Sequence, residues 1–170
     1  MIGVVGYWES NERSPFSGRT ADFGRWVNQL YAFGLDALLL MGAKETFKNL
    51  ELAQSGSVTI SMVQKVEDAS IIYPTAVRVF VEHRRLVPGN IKCEPLHKFK
   101  HPQGDVLYFF GADVMVTTLP TLTKEDRVVT IDYPHDDVAL YAQEALTCVL
   151  YDRMVKNLSD KKVERNTNPP

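Results

Sequence analysis

The chain has 170 residues, enough for one continuous hydrophobic core and too few for two ordinary domains. Apolar residues make up 45% and charged residues 24% of it, the balance of a folded protein, and its longest apolar run falls far short of the roughly 20 residues that cross a bilayer. A formal net charge of -2 excludes a protein that coats nucleic acid by charge alone, so any RNA contact has to be local.

In chain order, residues 2–7 form an apolar run with Gly3 and Gly6, suited to a buried first strand. No basic region precedes it, so no secretory leader is expected and the cytoplasm is the expected compartment. Residues 9–20 are polar, with Pro15 and Gly18, and read as a long loop. Over 21–33 the apolar positions Phe23, Trp26, Val27, Leu30 and Tyr31 recur at helical spacing, with Asp22 as a cap and Gly34 as the stop. The continuous apolar run 35–41 then reads as a strand buried on both faces of a parallel sheet.

Weaker patterns predict a helix over 44–54, a strand over 58–62, a helix or loop over 68–74 and a strand over 76–81; Pro88, Gly89 and Asn90 mark a turn. Residues 106–110 and 127–131 are two further apolar strands. A final helix over 136–157 carries Val138, Ala142, Ala145, Leu146, Val149 and Met154 on one face, and the polar 159–170 is expected to be disordered. The chain therefore divides into one domain, 1–158, and a short tail. Alternating strands and helices predict an α/β fold, a mostly parallel sheet flanked by helices, with ligands bound outside the carboxyl ends of its strands.

The chemistry-bearing residues admit plain readings beside functional ones. His97 and His101 are four apart, but no third ligand accompanies them and Pro102 follows, so no metal site is expected. Cys93 and Cys148 are too few for a disulfide scaffold; both are expected as free thiols, Cys148 packed in the last helix. Gly3 and Gly6 do not make a dinucleotide fingerprint. Arg84, Arg85 and Lys98, within a basic stretch running from Arg78 to His101, are either a local RNA contact or a solvated charged face. Tyr7, Trp8 and Phe16 can stack on a base or pack in the core.

Three ordered segments carry a resemblance. Asp22, Gly24 and Asn28 lead into Phe33, Gly34, Asp36 and Ala37; His101 and Pro102 precede an apolar strand ending Phe110, Gly111, Ala112, Asp113; and Val128 to Ile131 precede a helix with Leu150, Tyr151, Asp152 and Arg153. Together they resemble the SPOUT superfamily, in the SpoU/TrmH branch of RNA 2'-O-ribose methyltransferases, as a divergent member. The resemblance implies an α/β trefoil knot, a homodimer, S-adenosylmethionine as cofactor, and tRNA or rRNA as substrate. It implies a cofactor pocket at Phe110, Gly111, Asp113, Ile131, Leu140 and Tyr141. The plain readings of these residues are a strand-ending turn at Gly111, a solvated loop residue at Asp113, and core packing at Ile131 and Leu140.

Several family residues are replaced. Asp22 stands for an asparagine and Tyr141 for another. Asn28 stands where the family has an arginine proposed to help deprotonate the ribose hydroxyl, a task that calls for positive charge beside a developing alkoxide. Arg25 or Arg19 is the expected substitute. The alternative is a dimeric RNA-binding or interaction protein of the same fold that has lost catalysis.

Overall fold

The computed structural model describes residues 1–7, 27–41, 58–110, 122–135, 140 and 142–167. Its centre is a sheet of seven strands: β1 (Ile2–Tyr7), β2 (Ala37–Met41), β3 (Thr59–Val63), β4 (Val77–Val81), β5 (Glu94–Pro95), β6 (Val106–Phe110) and β7 (Arg127–Thr130). They lie in the order β3-β2-β1-β6-β4-β7-β5, and every pairing is parallel. The expected mostly parallel sheet is thus wholly parallel among the described residues. All five residues of β2 and of β6 are buried, as their unbroken apolar runs predict for strands covered on both faces.

Side chains alternate across the sheet and build two cores. On one face Val4, Leu38, Val79, Tyr108, Phe110 and Val129 pack with Val27 and Leu30 of the helical residues 27–32 and with Leu146, Val149 and Leu150 of the last helix. On the other, Val5, Leu39, Phe80, Phe109 and Val128 pack with Val66 and Ala69 of helix α1 (Val66–Ile72). Phe80 and Phe109 stack there at 4.6 Å between ring centroids, within the range of favourable aromatic pairs. Asp68 holds the start of α1 by accepting from the amides of Gln64 and Lys65.

Two glycines are required by geometry. Gly34 has φ +66° and ends the helical residues in the left-handed conformation that glycine adopts without steric cost. At Gly3 a Cβ would fall 2.7 Å from Cδ2 of Leu107, so any larger residue pushes the β6 side chain out of its place beside β1.

The last helix, α2, runs Ala142–Thr167, through nine positions that the sequence assigns to a disordered tail. Lys161, Lys162, Glu164 and Arg165 are good helix formers and no glycine or proline interrupts them before Pro169. The buried face of α2 also differs from expectation. Leu146, Val149, Leu150 and Arg153 are buried, while Met154 and Cys148 are exposed; the helix seats an arginine in the core because polar partners wait for it there. β5 is not evident in the sequence: it is two residues long and ends in Pro95 at the sheet edge, where a missing amide donor is tolerated.

The expected helix over 44–54, the loop 9–20 and the first part of the 21–33 helix lie outside the described residues. So do the loops expected to carry the knotted threading, since 111–121, 136–139 and 141 are not among them.

Candidate functional site

In an all-parallel sheet the carboxyl ends of the strands form one edge, with the loops that leave it free to meet a ligand. Here that edge is made by Phe110 of β6, Val81 of β4, Thr130 of β7 and Pro95 of β5. Val81 pairs with Phe110 on one side and with Val129 on the other, and Pro95 pairs with Thr130. Of the residues expected to hold a cofactor, Phe110 is buried in the first core and Ile131 is half-buried against it. Leu140 is partly exposed just before α2. Gly111, Asp113 and Tyr141, and likewise Arg19 and Arg25, lie outside the described residues. Asn28 is exposed on the helical residues 27–32, beside Gln29, whose Nε2 donates to Thr147 Oγ1 of α2 at 2.9 Å.

Two polar residues that sequence reading did not single out close this edge. Glu82 directly follows β4 and is buried; its Oε1 accepts from the His83 amide at 2.8 Å. Thr130 is fully buried, and its hydroxyl has no hydrogen-bond partner among the described residues. Burial of an unsatisfied hydroxyl is unusual in a native fold, and this one lies at a strand's carboxyl end, the edge at which open parallel sheets bind their ligands. The threonine is hidden in the sequence because it continues the β-branched pattern of Val128 and Val129.

The basic stretch divides in three. Arg84, Arg85 and Lys98 are exposed at the carboxyl edge, on single helical turns that follow β4 and β5, Arg84–Leu86 and Leu96–Lys98. Arg84 and His97 both reach Asp132, at 3.9 and 3.7 Å, which joins the two turns across the end of β7. Arg78 is no part of this surface. Its Nε donates to Asp126 Oδ1 at 2.7 Å and its second nitrogen contacts the other carboxylate oxygen, in a pair that is almost wholly buried. Such a fork is spent inside the protein and reads no phosphate.

His101 is also withdrawn from the surface. Its Nδ1 lies 2.7 Å from the Tyr108 hydroxyl and its Nε2 lies 2.9 Å from Asp152 of α2, while His97 faces Asp132. The two histidines therefore point to different partners and share no ligand face. Arg153 completes the group by donating to the Tyr108 hydroxyl and to the Pro102 carbonyl, and Lys156 donates to the carbonyls of Leu96 and Phe99. Burial pushes the Tyr108 phenol up to about 12 against the pull of Arg153. Burial likewise lowers the His101 imidazole, overcoming the neighbouring Asp152. The His-Pro and Leu-Tyr-Asp-Arg signatures thus meet each other: they fasten α2 to β6 beneath the carboxyl edge.

No protein-family model matches the sequence, and no curated protein matches it. Solved structures do. The SpoU methyltransferase AviRb from Streptomyces viridochromogenes superposes with a TM-score of 0.63 at 17% identity, over 94% of this chain and 60% of that one. A TrmH/SpoU tRNA modifying enzyme from A. aeolicus gives 0.61 at 13% identity, over 94% and 77%. A protein described for 2-OH methylation of C/U34 on tRNA gives 0.57 at 16% identity, over 92% and 91%. The chain spans about 60% of the length of AviRb. At these identities the likeness is one of architecture, and it establishes that this chain has the α/β fold of the SpoU and TrmH methyltransferases.

Proposed function

We propose that the chain is a divergent SPOUT-type RNA methyltransferase that uses S-adenosylmethionine to methylate a ribose 2'-hydroxyl, in tRNA or rRNA, as a homodimer in the cytoplasm. The observation that carries this reading is the superposition of nearly the whole chain on SpoU and TrmH structures. AviRb is also known in complex with AdoMet, and one neighbour is described for 2-OH methylation of tRNA. The residues present fit such a cofactor: the buried Thr130 hydroxyl, without a hydrogen-bond partner among the described residues, stands at the carboxyl edge beside the ends of β4 and β6.

When bound, the cofactor supplies a methyl group already activated on a sulfonium, so the protein's task is chiefly to hold the acceptor oxygen in line with it. Positive charge beside that oxygen stabilises the alkoxide as it develops. Asn28 is neutral and cannot provide it; Arg25, three residues earlier, or Arg19 in the preceding loop does so. Arg84, Arg85 and Lys98 hold RNA phosphates at the rim. The apolar stripe Tyr151, Met154, Val155 and Leu158, exposed at helical spacing along α2, supplies a face for the second copy.

A second reading, an RNA-binding or interaction protein of this fold without catalysis, is favoured by Asn28 at the arginine position. Calorimetric titration with S-adenosylmethionine and methyl incorporation into total RNA, run on one preparation, separate the two. The enzyme reading expects binding and incorporation, the latter reduced at least tenfold by Arg25→Ala or Arg19→Ala. Binding without incorporation across a broad RNA panel supports the second reading, and absence of cofactor binding by folded protein removes the first.

A further inference from the structure

Glu82 and Thr130 stand side by side. Val81 pairs with Val129, and the Glu82 amide donates to the Val129 carbonyl at 3.0 Å, which brings Glu82 level with Thr130 on the neighbouring strand. Residues level with each other on adjacent parallel strands project to the same face. Phe80 and Val128, two positions earlier, belong to the second core, so the alternation sends Glu82 and Thr130 to that face as well. The apolar column of each strand therefore ends in a polar side chain, 8% exposed for Glu82 and 0% for Thr130. Valine has the same shape as threonine and would fill the position without leaving a hydroxyl unsatisfied. A hydroxyl kept there, beside a carboxylate and at the edge where parallel sheets bind ligands, has no partner among the described residues and is placed to meet a ligand atom.

We propose that Glu82 and Thr130 hold the ribose hydroxyls of the adenosyl cofactor, an assignment that rests on the methyltransferase reading. A carboxylate is acceptor-only and can take both protons of a vicinal diol, which is how parallel α/β sheets recognise the ribose of dinucleotides. The Thr130 hydroxyl, free to rotate, adds a donor or an acceptor to the same diol. Both residues bind and orient the ligand; neither touches the methyl group.

The test is calorimetric titration of wild type, Glu82→Gln, Thr130→Val and Thr130→Ser with S-adenosylhomocysteine, its 2'-deoxy analogue and S-adenosylmethionine, with urea denaturation of each protein. Glu82→Gln and Thr130→Val are expected to weaken S-adenosylhomocysteine at least fivefold, and Thr130→Ser to restore most of the loss. The 2'-deoxy analogue is expected to bind wild type weakly and to be nearly indifferent to both substitutions. Thr130→Val is expected to be at least as stable as wild type, a result that a packing role for the hydroxyl does not give. Undiminished binding by Thr130→Val overturns the assignment, as does a Glu82→Gln loss confined to the sulfonium, which marks a charge contact in place of a diol contact. If wild type binds neither compound, the methyltransferase reading falls and this assignment with it; if wild type binds both and the variants match it, only the assignment falls.

Discussion

The Tyr108 hydroxyl lies 2.7 Å from Nδ1 of His101, and the direction of the proton between them follows from their neighbours. Arg153 has only donors, so the phenol oxygen accepts from it and gives its own proton to His101. Nδ1 is then the acceptor, and Nε2 carries the hydrogen that Asp152 receives at 2.9 Å. A neutral imidazole satisfies each of these contacts, in keeping with its lowered pKa.

Tyr108→Phe leaves a buried arginine donor and a ring nitrogen without their shared partner, and should cost about 1–3 kcal/mol in urea unfolding. The phenol titrates near 12 in the folded protein against 10 ordinarily, so its contribution is complete below pH 10 and is lost as pH rises towards 12. At about 1.4 kcal/mol per unit this is on the order of 3 kcal/mol. The Phe variant should lack that alkaline slope, and a variant with an unchanged slope would place the titration elsewhere.

At acid pH the sign follows His101. Its folded pKa is below the usual 6.5, so between the two values the unfolded chain binds more protons. Stability is full above 6.5 and declines as pH falls below it. Urea midpoints taken from pH 7.5 to 5.5 should fall more steeply for wild type than for His101→Gln.

Asp126 accepts from Arg78 and from the Thr123 amide and is nearly inaccessible. Asp126→Ala leaves a buried guanidinium without its counter-charge and should destabilise by about 3–5 kcal/mol. Replacing both, as Arg78→Met with Asp126→Leu, should cost less than the single change. A double variant weaker than either single one would mean that the pair contributes more than its mutual neutralisation.

For the RNA rim, Arg84→Ala, Arg85→Ala and Lys98→Ala together should weaken RNA binding nearly uniformly across sequences. The slope of log K against log salt should fall by about 2–3, at roughly 0.7–0.9 for each phosphate no longer neutralised. Filter binding at a series of salt concentrations reads this directly, and an unchanged slope would remove these three residues from the proposed RNA contact.

For the α2 stripe, Met154→Glu with Leu158→Glu changes exposed residues only. The prediction is a folded monomer in sedimentation equilibrium, against the dimer proposed for wild type. A dimer that survives both charges would remove α2 from the interface.

The strands are legible because each β-run is short, apolar and bounded by glycine, proline or charge: residues 2–7 and 106–110 coincide with β1 and β6. What escapes is decided by partners distant in sequence. Met154 fits the apolar face of an isolated helix, yet Arg153 takes the buried place because Tyr108 and the Pro102 carbonyl accept its hydrogens. Arg78 reads as one basic residue among several until Asp126, far along the chain, claims it. The expected cofactor loop at Gly111 follows from a resemblance. Glu82 and Thr130 become visible only when register sets them level, since neither belongs to a spaced motif.

The pairing of Val5 with Phe109 in the middle of the sheet also bears on how the chain acquires its shape. β1 can zip to β2 early, but its other edge has to wait until β6 has been made, and β4 waits for the same strand. Contacts of such wide sequence separation slow the search and prolong the interval in which strand edges are open to other chains. Refolding from urea should accordingly be slow and sensitive to protein concentration, and a fragment that stops short of residue 106 should aggregate instead of folding as a half-sheet.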